Sequence, residues 1–153
     1  MKNGYKKLSS VLNIERTKSA VACSSKTRAL EIISELAASK FNQPPLVVFD
    51  ALHIRERMGS TGIGNGIAIP HGKIVEDASQ AVGVFIRLDP PIAFDAIDNL
   101  PVDLLFALLV PAHQCKTHLH TLSQVVERLA DKSACRRLRA AQSEEELYQI
   151  ITE

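Results

Sequence analysis

The sequence predicts an α/β fold, with a mixed sheet covered by helices on both faces. Three observations carry that prediction. Two apolar runs, AVGVFIRL (Ala81 to Leu88) and VDLLFALLV (Val102 to Val110), are closed by prolines and are too short for most helices. Segments of helical periodicity lie before and after them. Between the leading helical segments and these runs lies GSTGIGNGIAIPHGK (Gly59 to Lys73), which holds five of the chain's seven glycines.

Taken in order, the first twenty residues are polar and are expected to lie over the surface. AVACS (Ala20 to Ser24) reads as a short strand. Ser25 is the expected N-cap of a helix, SKTRALEIISELAASK, in which Leu30, Ile33 and Ala37 recur at helical spacing with Ile32 and Leu36 beside them. Pro44 and Pro45 open a second helix, which runs to about Met58 and stops at Gly59. IAIPH then reads as a strand. AVGVFIRL follows, closed by Asp89-Pro90-Pro91. VDLLFALLV, closed by Pro111, fits a central strand buried on both faces. A helix is expected over Lys116 to Asp131, with Leu119, Leu122, Val126 and Leu129 inward. Short helices follow at Ser133 to Ala140 and Ser143 to Ile150, the last with Ser143 as N-cap and Glu146 at the capping-box position.

The totals narrow the function. The 153 residues fit one domain, and 46% hydrophobic with 23% charged residues is an ordinary soluble balance. A net charge of +1 gives no ground for nucleic acid, a membrane surface or a polyanion as partner. Three cysteines without a C-x-x-C pair fit a reducing compartment. The N-terminus lacks the apolar core of a secretory signal, and no apolar run reaches the roughly 18 residues of a membrane span. A cytoplasmic location is expected.

His71 is the first candidate. An imidazole with pKa about 6.5 is mostly neutral at pH 7. It can attack phosphorus, act as a base or bind a metal. The glycines beside it permit positive φ and close backbone approach to an anion. The plain alternative is a turn that needs glycine, followed by an incidental histidine. The loop is neither a Walker loop nor a dinucleotide fingerprint, since Gly62, Gly64 and Gly66 give G-x-G-x-G. Arg55 follows Val48, Ala51 and Leu52 at helical spacing and borders the inward face, either reaching an anion or lying along the core's edge. Arg57 aligns with His53 and Asp50 on a polar face. His113, Cys115, His118 and His120 do not form a recognised zinc spacing. His118 aligns with Leu122 and Val125 and alone of the three histidines has a route to a pocket. Lys132, Arg136, Arg137 and Arg139 read as a solvated helix face.

Three segments carry a resemblance: RERMGSTGIGNGIAIPHGK (Arg55 to Lys73), PIAFDAIDNLPVDLLFALLVPA, and THLHTLS. Together they resemble the enzyme IIA components of the phosphoenolpyruvate phosphotransferase system, fructose/mannitol class, and most of all its nitrogen-regulatory branch. The resemblance runs from about Leu8 to Ile151. It implies a single domain over residues 1–153, with 1–7 loosely ordered, built as a three-layer α/β/α sandwich on a five-stranded mixed sheet. It implies that His71 is phosphorylated at Nε2, that His118 is a second active-site histidine and that Arg55 binds the phosphoryl group. Thr61, Gly62, Gly64, Asn65 and Gly66 are expected as a phosphate loop, with Ile63, Ile67 and Ile69 as an apolar rim. No cofactor and no metal is implied. The expected donor is a phosphocarrier of the HPr type, and the expected readers include potassium-transport proteins and sensor kinases. Three alternatives stand beside this: a sugar-transporting IIA that passes phosphate to a separate IIB, a metal-dependent hydrolase using His71 and His118, and a binding module that turns over no phosphate.

Overall fold

The computed structural model describes residues 8–74, 80–112 and 119–153. Six strand segments are β1 (Thr17–Val21), β2 (Gly62–Gly64), β3 (Ile67–Ala68), β4 (His71–Ile74), β5 (Val82–Ile92) and β6 (Val102–Pro111). Five helices are α1 (Lys26–Phe41), α2 (Pro45–Arg57), α3 (Leu119–Ala130), α4 (Lys132–Ala140) and α5 (Glu144–Thr152). The sheet order is β1-β5-β6-β3-β2, with β4 also on β6. β3 and β4 lie end to end on one edge of β6 in unbroken register, Ile67 opposite Leu104 and His71 opposite Leu108. The six segments therefore fill the five expected lanes, one of them interrupted at Ile69 and Pro70. The pairing is mixed: β5 runs antiparallel to β6, while β1 is parallel to β5 and both β3 and β4 are parallel to β6.

The layers follow from alternation along β6. Leu105, Ala107 and Leu109 join α1 and α2 in one core, and Leu104 and Phe106 join α3, α4 and α5 in another. β6 is buried on both faces, as its continuous apolar run requires.

Local signals place most helix ends. The Ser25 hydroxyl accepts from the Arg28 N–H, and Pro45 takes the first turn of α2, where no N–H is needed. Asn42 in the left-handed region closes α1. Ser143 accepts from the Glu146 N–H, while the Glu146 carboxylate reaches the Gln142 N–H, one residue short of a standard capping box.

Four expectations are corrected. The first strand is Thr17–Val21 instead of Ala20 to Ser24, because Thr17 to Val21 is the stretch that pairs with β5. The leading segment is not all surface: Leu8, Val11 and Leu12 are buried, as is Arg16. Arg16 donates from Nε to the Gly83 carbonyl and from Nη2 to the Val11 carbonyl. β5 passes through Asp89-Pro90-Pro91 and pairs again at Ile92, with its register shifted on the way. On α3 the buried row is Thr121, Val125 and Leu129, whereas Leu119 and Val126 are exposed. Leu129 is common to both rows, while Thr121 and Val125 take the inward places predicted for Leu122 and Val126.

Candidate active site

His71 opens β4. Gly72 and Ile74 face α2, since a Cβ on Gly72 would lie 2.7 Å from the Ala51 carbonyl and Ile74 packs with Val48 and Leu52. Alternation then turns the half-buried His71 to the opposite face, beside its β6 partner Leu108. The interruption in the lane supplies the ring's partner. Pro70 has no N–H, and its carbonyl accepts from the Leu108 N–H at 2.9 Å. Ile69 turns away from β6: its N–H donates to the Thr61 carbonyl at 3.0 Å, and its carbonyl lies 2.9 Å from His71 Nδ1. A carbonyl can only accept, so Nδ1 carries the hydrogen, and in the neutral ring the lone pair is on Nε2.

Arg55 stands in the last turn of α2 and donates from Nη1 to the Gly59 carbonyl at 2.7 Å. Gly59 belongs to the chain that returns antiparallel beside the His71 lane. Gly62 pairs with Ala68, and Thr61 accepts from Ile69. Arg55 is thereby tied to the segment that leads into Thr61, whose partner Ile69 stands two residues before His71.

Glu56, one residue on, is buried at 7% exposure, and sequence reasoning passed over it. Its carboxylate accepts from the Thr61 N–H at 3.2 Å and from the Thr61 hydroxyl, and Lys26 Nζ lies 2.8 Å from Oε1. Lys26 also sits 4.7 Å from the centre of the Phe94 ring. A signal existed: Val48, Leu52 and Glu56 fall at four-residue steps on the inward ridge of α2.

The expected phosphate loop divides. Thr61 spends both donors on Glu56. Gly62 is pressed against Ala96, 2.7 Å from where its Cβ would be, and its N–H donates to Ser60 Oγ. Asn65 and Gly66, with φ of 59° and 81°, are the two-residue turn of the β2–β3 hairpin. Asn-Gly at such a turn is the pairing that a type I′ hairpin favours. The Asn65 N–H donates to Asp98 Oδ2, its carbonyl accepts from Arg139 Nη2, and Arg139 holds Asp103 through two bonds of 2.9 Å. Gly64, Asn65 and Gly66 thus serve a hairpin tip. Gly66 stands five residues before His71 on the lane, roughly 16 Å at about 3.3 Å per residue. A groove of about 540 Å³ opens at this tip, lined by Gly66, Leu129, Lys132, Arg136 and Arg139 among others, and does not include His71. Ile67 and Ile69 are core residues rather than a rim, and Ile63 alone of the three is exposed.

His113, Cys115 and His118 lie outside the described residues. His53 is exposed and stacks on Phe49, and His120 is exposed on α3. Among the described residues, no three His, Cys, Asp or Glu side chains gather as a metal site, and no helix is long and apolar enough to cross a membrane.

Comparison with known proteins gives a consistent result. Residues 10–153 match the family model described as phosphoenolpyruvate-dependent sugar phosphotransferase system, EIIA 2. The chain is 75% identical over 146 residues to the nitrogen regulatory protein of Escherichia coli (strain K12), covering 95% of this chain and 90% of that protein. The crystal structure of nitrogen regulatory protein IIA-Ntr from Neisseria meningitidis superposes with a TM-score of 0.90 at 36% identity, covering 95% of this chain and 99% of that one. IIA mannitol from E. coli, at 19% identity and a TM-score of 0.74 over 89% and 96% of the two chains, shares the fold. The chain belongs to the EIIA 2 family of the phosphoenolpyruvate-dependent phosphotransferase system.

Proposed function

We propose that this protein accepts a phosphoryl group on His71 Nε2 from an HPr-like phosphocarrier and regulates partner proteins by its phosphorylation state. The observation that carries the reading is the Nδ1–H bond to Ile69, which leaves Nε2 as the nucleophile. In the transfer, the P–N bond of the carrier's phosphohistidine breaks as the new Nε2–P bond forms. The carrier's imidazole leaves with the electron pair, and Nδ1–H stays on His71. Such transfers need little covalent help beyond position and charge stabilisation. Arg55 clamps phosphoryl oxygens after turning from the Gly59 carbonyl, and His118 supplies a further hydrogen bond. The loop's share falls to Gly59 through Thr61, whose carbonyls hold Arg55 and the Ile69 N–H, and not to the hairpin tip.

A phosphoryl group adds about −1.5 to −2 charges at one edge of a nearly neutral protein, which a partner can read electrostatically. The 75% identity to a nitrogen regulatory protein supports the regulatory branch over sugar transport. Potassium-transport proteins and sensor kinases are the classes of reader that this branch implies. The test is incubation with phosphoenolpyruvate, enzyme I and the carrier. Acid-labile, alkali-stable label on His71 is expected, and label that persists in full in His71→Ala overturns the assignment.

A further inference from the structure

We propose that Glu56, acting through Thr61, is a positioning residue for phosphoryl transfer at His71, and this rests on the reading of His71 as the acceptor. The chain from Arg55 to Thr61 is tied at short intervals. The Glu56 carbonyl accepts from the Gly59 N–H at 3.1 Å, and the Glu56 carboxylate takes both donors of Thr61. Ser60 Oγ bonds the Phe94 carbonyl at 2.7 Å, and Lys26 links Glu56 to the Phe94 ring. Two catalytic contacts hang from this segment. The Gly59 carbonyl holds Arg55. The Thr61 carbonyl holds the Ile69 N–H, and the same residue's carbonyl orients the His71 ring. A route of hydrogen bonds therefore runs from Lys26 through Glu56, Thr61 and Ile69 to Nδ1 of His71.

The chemistry of the pair fits this role. An ion pair whose carboxylate is buried and whose Lys26 partner is partly exposed adds little net stability over well-packed apolar side chains, but it fixes where the carboxylate points. An apolar residue at position 56 would fill the space and leave the Thr61 N–H and hydroxyl without an acceptor. Glu56 touches neither the reacting nitrogen nor the phosphoryl group, so it acts only through the loop.

The test uses the full chain with phosphoenolpyruvate, enzyme I and the carrier. Thr61→Val removes the hydroxyl bond at nearly constant volume, and Thr61→Ser keeps it. Glu56→Gln is the second probe. Two readouts are taken: kcat and KM for the carrier, and the ring ¹⁵N shifts of unphosphorylated His71. In Thr61→Val, kcat is expected to fall by about tenfold to a hundredfold with KM for the carrier little changed, the scale of a small misplacement. The His71 ¹⁵N shifts move toward those of mixed tautomers, and Thr61→Ser restores both readouts. Wild-type kcat and ¹⁵N shifts in folded Thr61→Val and Glu56→Gln overturn the proposal. If both variants unfold while Thr61→Ser does not, the pair serves stability and the positioning role falls. If wild-type protein takes no label on His71, the acceptor reading fails and the role in transfer falls with it, whatever Thr61→Val does to the ring.

Discussion

The Nδ1 nitrogen of His71 donates to the carbonyl oxygen of Ile69 at 2.9 Å, two residues back along the same lane. This one bond decides which ring nitrogen is free. It predicts a single neutral tautomer, with hydrogen on Nδ1, in ¹⁵N spectra of the unphosphorylated protein. Phosphorylated protein should show phosphorus coupled to Nε2. Phosphate on Nδ1 would contradict the geometry.

Arg55→Ala removes a cation held, among the described residues, by the Gly59 carbonyl at the end of α2, so the fold should survive. Loss of its charged hydrogen bonds to the phosphoryl group, about 1.5–3 kcal/mol, should slow transfer by about tenfold to a hundredfold. His118→Ala should also fold and transfer slowly. Wild-type rates in stopped-flow or gel-shift transfer assays would remove both roles.

Two glycine substitutions separate the hairpin tip from the site. Gly66→Ala strains a residue at φ 81° and drives a methyl to within 2.5 Å of Arg139 Nη2. It should cost about 1–3 kcal/mol in denaturant unfolding and leave the rate constant of the folded protein's phosphoryl transfer near wild type. Gly72→Ala instead sets a methyl 2.7 Å from the Ala51 backbone carbonyl, which cannot swing aside. It should push α2 from β4 and impair both stability and transfer. Equal effects of the two on transfer would return the tip to the phosphoryl site.

Arg16 is a buried cation, its pKa pulled below the ordinary arginine range by burial, against an upward pull from Glu15 and Tyr148. It bonds Gly83 and Val11 at once. Arg16→Leu should lower stability by about 1.5–3 kcal/mol, the scale of charged hydrogen bonds. Chemical unfolding measures this, and an unchanged midpoint would rule it out.

Asp98 sets a pH response at the hairpin tip. Backbone N–H bonds from Asn65 and then Leu100 hold its pKa below the ordinary aspartate value. A depressed folded pKa contributes stability above the unfolded value, about 3.9. That contribution is lost as pH falls through the lower folded value. The Asn65 and Leu100 amide resonances should therefore titrate together in the acid range, below the ordinary aspartate midpoint. Asp98→Asn should abolish the titration, and a midpoint at or above the ordinary value would contradict the clamp.

Much of the fold was legible because its signals are local. Ser25 as cap, Pro45 at a helix start and the unbroken apolar run of β6 act within a few residues. The strand at Thr17–Val21 was misplaced because TKSAV has a weak apolar pattern and is a strand only by pairing with β5. Leu119 looked inward by spacing, yet the face of α3 that meets the sheet is set by Val125 and Leu129 packing with Leu12, Leu104 and Phe106. At the site, His71 and Arg55 were visible as residue types in place. The Asn-Gly hairpin was equally visible and was outweighed by the glycine count around it.

By itself the sequence determined most helix ends, the buried central strand, the family, and His71 as the candidate behind the glycine loop. Those depend on periodicity, capping and short motifs, which the chain carries in consecutive residues. The strand read as ending at His71 is instead broken at Ile69 and Pro70 and begins again at His71. Only the tertiary structure decided that Glu56 meets both Lys26 and Thr61, that Arg139 reaches the hairpin tip, and that the Ile69 carbonyl turns to His71. The Lys26 and Arg139 contacts depend on which lanes and helices become neighbours, and the local Ile69–His71 and Glu56–Thr61 bonds depend on the lane's break at Ile69 and Pro70 and on the turn that follows α2. Sheet order and helix packing bring together residues far apart in the chain, and no local rule specifies those pairings.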